Sequence, residues 1–142
     1  MTPEELEALA ADFTAGVIPA TSWTHAAHIC VGTWHVARFG PDEALRRLRA
    51  GIRRLNESHG TGNSPTRGYH ETITAAYVRL IGAYLDGCPD DLTLADRARR
   101  LLAGPLGARE VLLRFYSREL LFSPRARADW VEPDLATLVL PE

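Results

Sequence analysis

Cysteine is scarce in this chain, with two among 142 residues. Cys30 sits in an apolar stretch and Cys88 in the turn Asp86-Gly87-Cys88-Pro89-Asp90, which suggests two free thiols in a cytoplasmic protein rather than a disulfide framework. An excess of one charge is missing too: 16 basic against 18 acidic residues leave a net charge of −2. Without an overall positive field, neither nucleic acid nor a membrane surface is an expected partner. No apolar run approaches the roughly 18–20 residues of a membrane span. The acidic start Met1-Thr2-Pro3-Glu4-Glu5 lacks the basic region and long apolar core of a secretory signal.

Several chemical signatures are absent as well. There is no glycine-rich phosphate fingerprint, no Gly-x-Ser-x-Gly nucleophile elbow and no His-Glu-x-x-His pair. No internal repeat and no persuasive period-two strand appears. Hydrophobic residues make up 46% of the sequence, enough for one sizeable core at this length, so a single domain is expected over residues 1–142.

What remains reads as helix. Thr2-Pro3-Glu4-Glu5 combines an N-cap, a proline at the first helical position and a glutamate three residues after the cap, announcing a helix to about Phe13. A second helix begins after Ser22 or Thr24 and runs to Arg38, where Phe39-Gly40-Pro41 stops it. Leu45, Leu48, Ile52 and Leu55 recur at spacings of three and four, an amphipathic third helix over 41–57. Residues 58–68, rich in glycine and small polar residues, suit a mobile loop and a candidate lid. A fourth helix carries His70, Ile73, Tyr77, Leu80, Ile81 and Tyr84 on one stripe and ends at Asp86-Gly87. Helices over about 92–103 and 108–121, a turn beginning at Ser123-Pro124 and an extended tail from Val131 complete the chain. The expected class is all-α: an irregular bundle of about six helices, with the second and fourth at its centre.

Three of the five histidines are placed where chemistry is plausible. His25 and His28, three residues apart, differ by about 60° around a helix and share a face. His35 follows one heptad later, roughly 10 Å further along the axis, too far to join them on one ion, and it either lines the same pocket or packs against Trp34 and Phe39. His70 falls on an inward stripe of another helix. His59 opens the glycine-rich loop, a solvent-exposed setting. Imidazole is the commonest side-chain metal ligand, so His25, His28 and His70 form a candidate three-point site for a divalent transition metal, zinc, iron, nickel or manganese. Glu71, beside His70, is a candidate fourth ligand, hydrogen-bond acceptor for a ligand imidazole, or general base. Tyr69 is a candidate to orient or protonate a substrate, and Thr24, Thr72, Thr74, Tyr77, Arg67, Tyr116, Arg118 and Glu119 are further polar groups within reach of a pocket.

Trp23-Thr24-His25-Ala26-Ala27-His28, Gly68-Tyr69-His70-Glu71-Thr72-Ile73-Thr74 and Phe115-Tyr116-Ser117-Arg118-Glu119-Leu120-Leu121-Phe122-Ser123-Pro124 resemble a family of bacterial helical proteins known by this pattern rather than by an activity. A looser similarity is to the DinB-like metal-binding helical bundles, in which three histidines from separate helices hold a divalent ion. Those bundles commonly carry a His-x-x-x-His pair late in the chain, whereas this one has His25-x-x-His28 early and His70 alone later. The similarity therefore implies ligand logic only.

Three functions follow as expectations. The first is a metal-dependent hydrolase or oxygenase acting on a small molecule. The second is a metal-free binding or assembly module whose histidines form a structural network, with an exposed apolar helix face favouring a homo-dimer. The third is a metal-free pocket enzyme using His70 and Glu71 as acid and base.

Overall fold

The first helix, α1 (Pro3–Ala15), is held at its start by the expected capping box: the Glu5 N–H donates to Thr2 Oγ1, and the Glu5 carboxylate accepts from the Thr2 N–H. It turns Leu6, Ala10 and Phe13 inward. In the computed structural model, which describes residues 1–141, the chain forms six α-helices and three 3-10 turns among those residues, and no strand beyond an isolated bridge between Ser64 and Arg67. The all-α class is what the helical periodicities predict. No helix among these residues is long and apolar enough to cross a membrane.

After a 3-10 turn at Ala20–Ser22, Thr24 caps α2 (His25–Ser58) by accepting from the Ala27 N–H. The expected second and third helices are the two arms of α2, joined across a kink at Gly40, whose φ of 79° and ψ of 167° are not helical. Only glycine adopts that region at low cost, and Pro41 restarts the helix with a φ suited to its first position. In the second arm, Gly51 permits contact with α1, since a Cβ there would overlap the Phe13 ring.

Helix α3 (Glu71–Asp86) packs along α2, burying Thr72, Ala75, Ala76, Val78, Leu80 and Ile81. Helix α4 (Leu94–Ala103), capped by Thr93, closes against α1 and the first arm of α2, where Ala95 and Ala98 meet Leu6 and Cys30. The main core runs from Phe13 and Ile29 through Leu48, Leu55 and Ile81 to Leu112, Tyr116 and Val131. Both cysteines are free, as expected.

Two expectations change here. The segment 58–68 is not loose: Asn63 accepts from the Tyr69 N–H and the Asn56 amide, its own amide donates to the Arg53 carbonyl, and Ser64 Oγ accepts from the Thr66 and Arg67 N–H groups. Arg127 donates to the Gly68 carbonyl from the far side. The continuous helix expected over 108–121 is instead a 3-10 turn (Val111–Arg114) and a one-turn helix, α5 (Arg118–Leu121). The tail breaks it: the Phe115 carbonyl accepts from the Leu135 N–H, and Asp134 accepts from the Ser117 N–H at 2.7 Å. Those partners outcompete the helical ones, and Ser117 is left to cap α5. Helix α6 (Pro124–Ala128) then leads into a tail held by Tyr116, which donates to the Val131 carbonyl, and by Thr72, which bonds both Asp129 and Val131.

Candidate functional site: a cavity between α2 and α3

His70 is buried, as its inward stripe implies, but it stands before α3 as its N-cap rather than within it. Nδ1 accepts from the Ile73 N–H at 3.2 Å, which leaves Nε2 to carry the proton and donate to the Leu121 carbonyl at 2.6 Å. Burial lowers its pKa, the Leu121 carbonyl opposes this and nearby Arg127 reinforces it. Both nitrogens are thus committed to backbone groups. A metal bond at either would require one of those hydrogen bonds to be given up.

His25 and His28 share a face as expected, and both line one cavity. His70 does not line it, and among the described residues no group of three or more His, Cys, Asp or Glu side chains is placed to hold a metal ion. The three residues of the expected centre are therefore not brought onto one cavity in this arrangement. His35 is buried among Phe13, Trp34 and Phe39, with Nδ1 donating to the Val31 carbonyl at 2.8 Å, in agreement with its packing role. His59 departs from its expected exposed setting: it is half-buried and its Nε2 donates to the Ile18 carbonyl at 2.7 Å, joining the end of α2 to the loop after α1.

Glu71 and Tyr69 are drawn into a different arrangement from the catalytic one. Arg49, on the second arm of α2, donates from Nε and Nη2 to the two Glu71 oxygens at 2.8 and 2.7 Å, and Tyr69 Oη donates to the same carboxylate at 2.7 Å. Burial alone would raise the Glu71 pKa, but the hydrogen bonds from Arg49 and Tyr69 outweigh it and leave the carboxyl below its usual range. Burial and the adjacent carboxylate together raise the Tyr69 phenol. An ion-paired carboxylate with a lowered pKa is a poor proton acceptor, and neither residue borders the histidine cavity. Their position instead ties α2 to the start of α3.

The cavity holds about 100 Å³ between α2 and α3. Aliphatic side chains of Ile29, Leu48, Ile52, Ile73, Val78 and Ile81 form much of its wall, with Trp23, His25, His28, Thr74 and Tyr77 supplying rings and polar atoms. Local sequence explains the rings. Trp23 immediately precedes the Thr24 cap and stacks on His28, four positions into the helix, with centroids 3.8 Å apart and planes at 27°. This is the placement of a hydrophobic staple. His25 meets the Tyr77 ring edge-on at 5.7 Å, and its Nε2 lies 3.4 Å from the Leu106 carbonyl.

His28 is an exposed residue, but the protein atoms packed around its ring lower its pKa to about 4, with smaller contributions from the charges of His25 and Arg109. The ring is neutral at pH 7, and no hydrogen bond to the protein engages either nitrogen among the described residues. Tyr77 is pushed up to about 12 by burial, partly offset by Arg109. Two further atoms stand out. Trp23 Nε1 and Tyr77 Oη are buried without a hydrogen-bond partner, and both residues line the cavity.

A second, outer chamber of about 470 Å³ adjoins the first, sharing His25, Ile73 and Tyr77 and bordered by Arg109, Glu110 and Arg118. Of the polar residues considered from sequence, Thr74, Tyr77 and Arg118 reach the two chambers, whereas Thr72 and Tyr116 hold the tail and Thr24 caps α2. Sequence reasoning missed Arg109 and the pocket role of Trp23. The staple position next to Thr24 was a usable signal for Trp23. Arg109 is not among the expected pocket residues because the stretch it opens reads as a helix over 108–121, whereas it lies between two 3-10 turns.

Compared with known protein families, curated proteins and solved structures, the chain matches none.

Proposed function

We propose that this protein binds a small organic molecule in the cavity between α2 and α3, with Trp23, Tyr77 and neutral His28 as its polar contacts. One observation carries the reading: Trp23 and Tyr77, whose Nε1–H and Oη–H are buried hydrogen-bond donors without protein partners, both line the same cavity. A buried donor left unpaired costs about 1–3 kcal/mol, so native proteins rarely keep two in one place without something to receive them. The apolar wall and few polar atoms are the usual composition of a small-molecule site. With a pKa of about 4, His28 serves at neutral pH as a hydrogen-bonding group and not as a charged acid. This favours binding over acid–base catalysis.

The test is protein-observed NMR on the three tryptophan indole N–H signals, with Trp23 assigned by Trp23→Phe. Small aromatic and branched-aliphatic fragments are expected to shift the Trp23 signal saturably while leaving those of Trp34 and Trp130 in place, since neither of these borders the cavity. Replacing Ile73 by Trp should fill the space and abolish the response. A Trp23 signal that no fragment moves, or that moves only together with the other two, overturns the reading.

A further inference from the structure

The outer chamber says what kind of molecule the inner cavity would take. Arg109 and Arg118 both border it, and neither guanidinium is within salt-bridge distance of a carboxylate among the described residues. Glu110 is the single acid on the same wall. The chamber therefore presents two unpaired cations against one anion, at the mouth of an apolar pocket whose orphaned groups, Trp23 Nε1 and Tyr77 Oη, are hydrogen-bond donors. The chain has no lysine, and the planar fork of arginine meets a carboxylate through two parallel hydrogen bonds where an ammonium offers a point charge.

Resting on the cavity reading above, we infer that the ligand is a small carboxylate: its compact apolar body lies in the inner cavity, an acceptor atom or π-face meets Trp23 and Tyr77, and its carboxylate faces Arg109 and Arg118. His25, Ile73 and Tyr77 border both chambers, so the two lie side by side and the proposed ligand spans them past these three side chains. Size limits the apolar part. A cavity of about 150 Å³ accepts benzene, so about 100 Å³ suits a short branched alkyl group or a single ring whose edge extends toward the outer chamber. Arg109 is close enough for its charge to act on His25, His28 and Tyr77, which places it electrostatically within the site despite its exposed position. A ligand carboxylate would meet neutral imidazoles at pH 7, so its recognition falls to the arginines.

The test compares matched pairs that differ only in charge: benzoate with benzamide, and isovalerate with isovaleramide, titrated against the Trp23 indole signal at low salt. The acid of each pair is expected to bind about fivefold to tenfold more tightly than its amide, the gain expected from pairing with exposed arginines. In an Arg109→Gln, Arg118→Gln double variant this preference should fall to about one, and high salt should reduce it in the wild type. Acids and amides binding alike would overturn the inference and leave the cavity reading intact. A preference that survives the double variant overturns it too, because the charge is then read elsewhere. Failure of all four compounds to move the Trp23 signal removes the cavity reading and the inference with it.

Discussion

His70 Nε2 stands 2.6 Å from the carbonyl oxygen of Leu121, 51 residues further along the chain. Through this bond the residue that starts α3 also anchors the end of α5, while its other nitrogen caps the Ile73 N–H. One imidazole thus completes two backbone groups that no helix can satisfy internally.

His70→Ala removes both bonds and leaves the Leu121 carbonyl without its partner, so a loss of about 2–4 kcal/mol in urea unfolding is expected. His70→Asn keeps a good capping side chain and forfeits only the reach to Leu121, for a loss of about 1–2 kcal/mol. Zinc, nickel or a chelator should leave the wild-type melting temperature where it is. A chelator-induced drop, or metal-induced stabilisation abolished by His70→Ala, would show that the imidazole has a role other than the cap.

Acid should destabilise the fold in two stages, and the sign follows from the shifts. His25, His28, His35 and His70 all have folded pKa values below 6.5, burial being the largest cause for each. In the unfolded chain they protonate near their ordinary value, so below about pH 6.5 the unfolded state binds more protons and stability declines as pH falls. His28 contributes until about pH 4, its folded value; the limit for any one group is about 1.4 kcal/mol per pH unit, and its accessible ring surface keeps it under that limit. Glu71, whose carboxyl is also lowered, contributes stability that is lost only as pH falls further, through its folded pKa. His28→Phe retains a ring to stack on Trp23 and should flatten the urea-midpoint profile between pH 6.5 and 4. Parallel profiles for variant and wild type would remove His28 from the effect.

The Arg49–Glu71–Tyr69 cluster should behave as a structural clamp. Glu71→Gln leaves a partly buried guanidinium without its charge partner, for an expected loss of about 1–3 kcal/mol. Tyr69→Phe, which deletes one hydroxyl, should cost about 1 kcal/mol. An Arg49→Met, Glu71→Leu double-mutant cycle isolates the pair, and a coupling near 0.5–2 kcal/mol is expected for a bidentate contact at this burial. Coupling indistinguishable from zero would mean that the contact does not hold α2 to α3.

Local chemistry made much of this legible in the sequence. The Thr2–Glu5 box, the Thr24 cap, the Gly40-Pro41 break and the common face of His25 and His28 all depend on residues within a turn or two of one another, and each appears where those residues place it. What escaped depends on distant partners. His70 reads as one more inward residue of a helical stripe until Leu121 arrives to hold Nε2, and Glu71 reads as a free carboxylate until Arg49 reaches it from the second arm of α2. The stretch from Arg109 onward reads as a helix over 108–121 until the tail arrives to bond Phe115 and Ser117 and break it into turns. Pattern reasoning reports which way a side chain faces. Which of its atoms are already engaged is decided by tertiary structure.

Gly40 and Gly51 sit on the same helix for opposite reasons, and substitution separates them. At Gly40 a Cβ would meet nothing within 4 Å, but φ is 79° and ψ 167°, a region essentially closed to other residues. Gly40→Ala should therefore cost about 1–3 kcal/mol through backbone strain alone, and no second-site change in neighbouring side chains should restore it. At Gly51 the backbone is helical and the obstacle is the Phe13 ring. Gly51→Ala gains helix propensity of about 1 kcal/mol and loses more to overpacking, about 1–3 kcal/mol. Phe13→Leu in the Gly51→Ala background should recover part of that loss, whereas the same change in the Gly40→Ala background should only add to the damage. Unfolding curves of the four variants decide the matter: recovery at both glycines, or at neither, would show that the kink and the α1 contact are not independent.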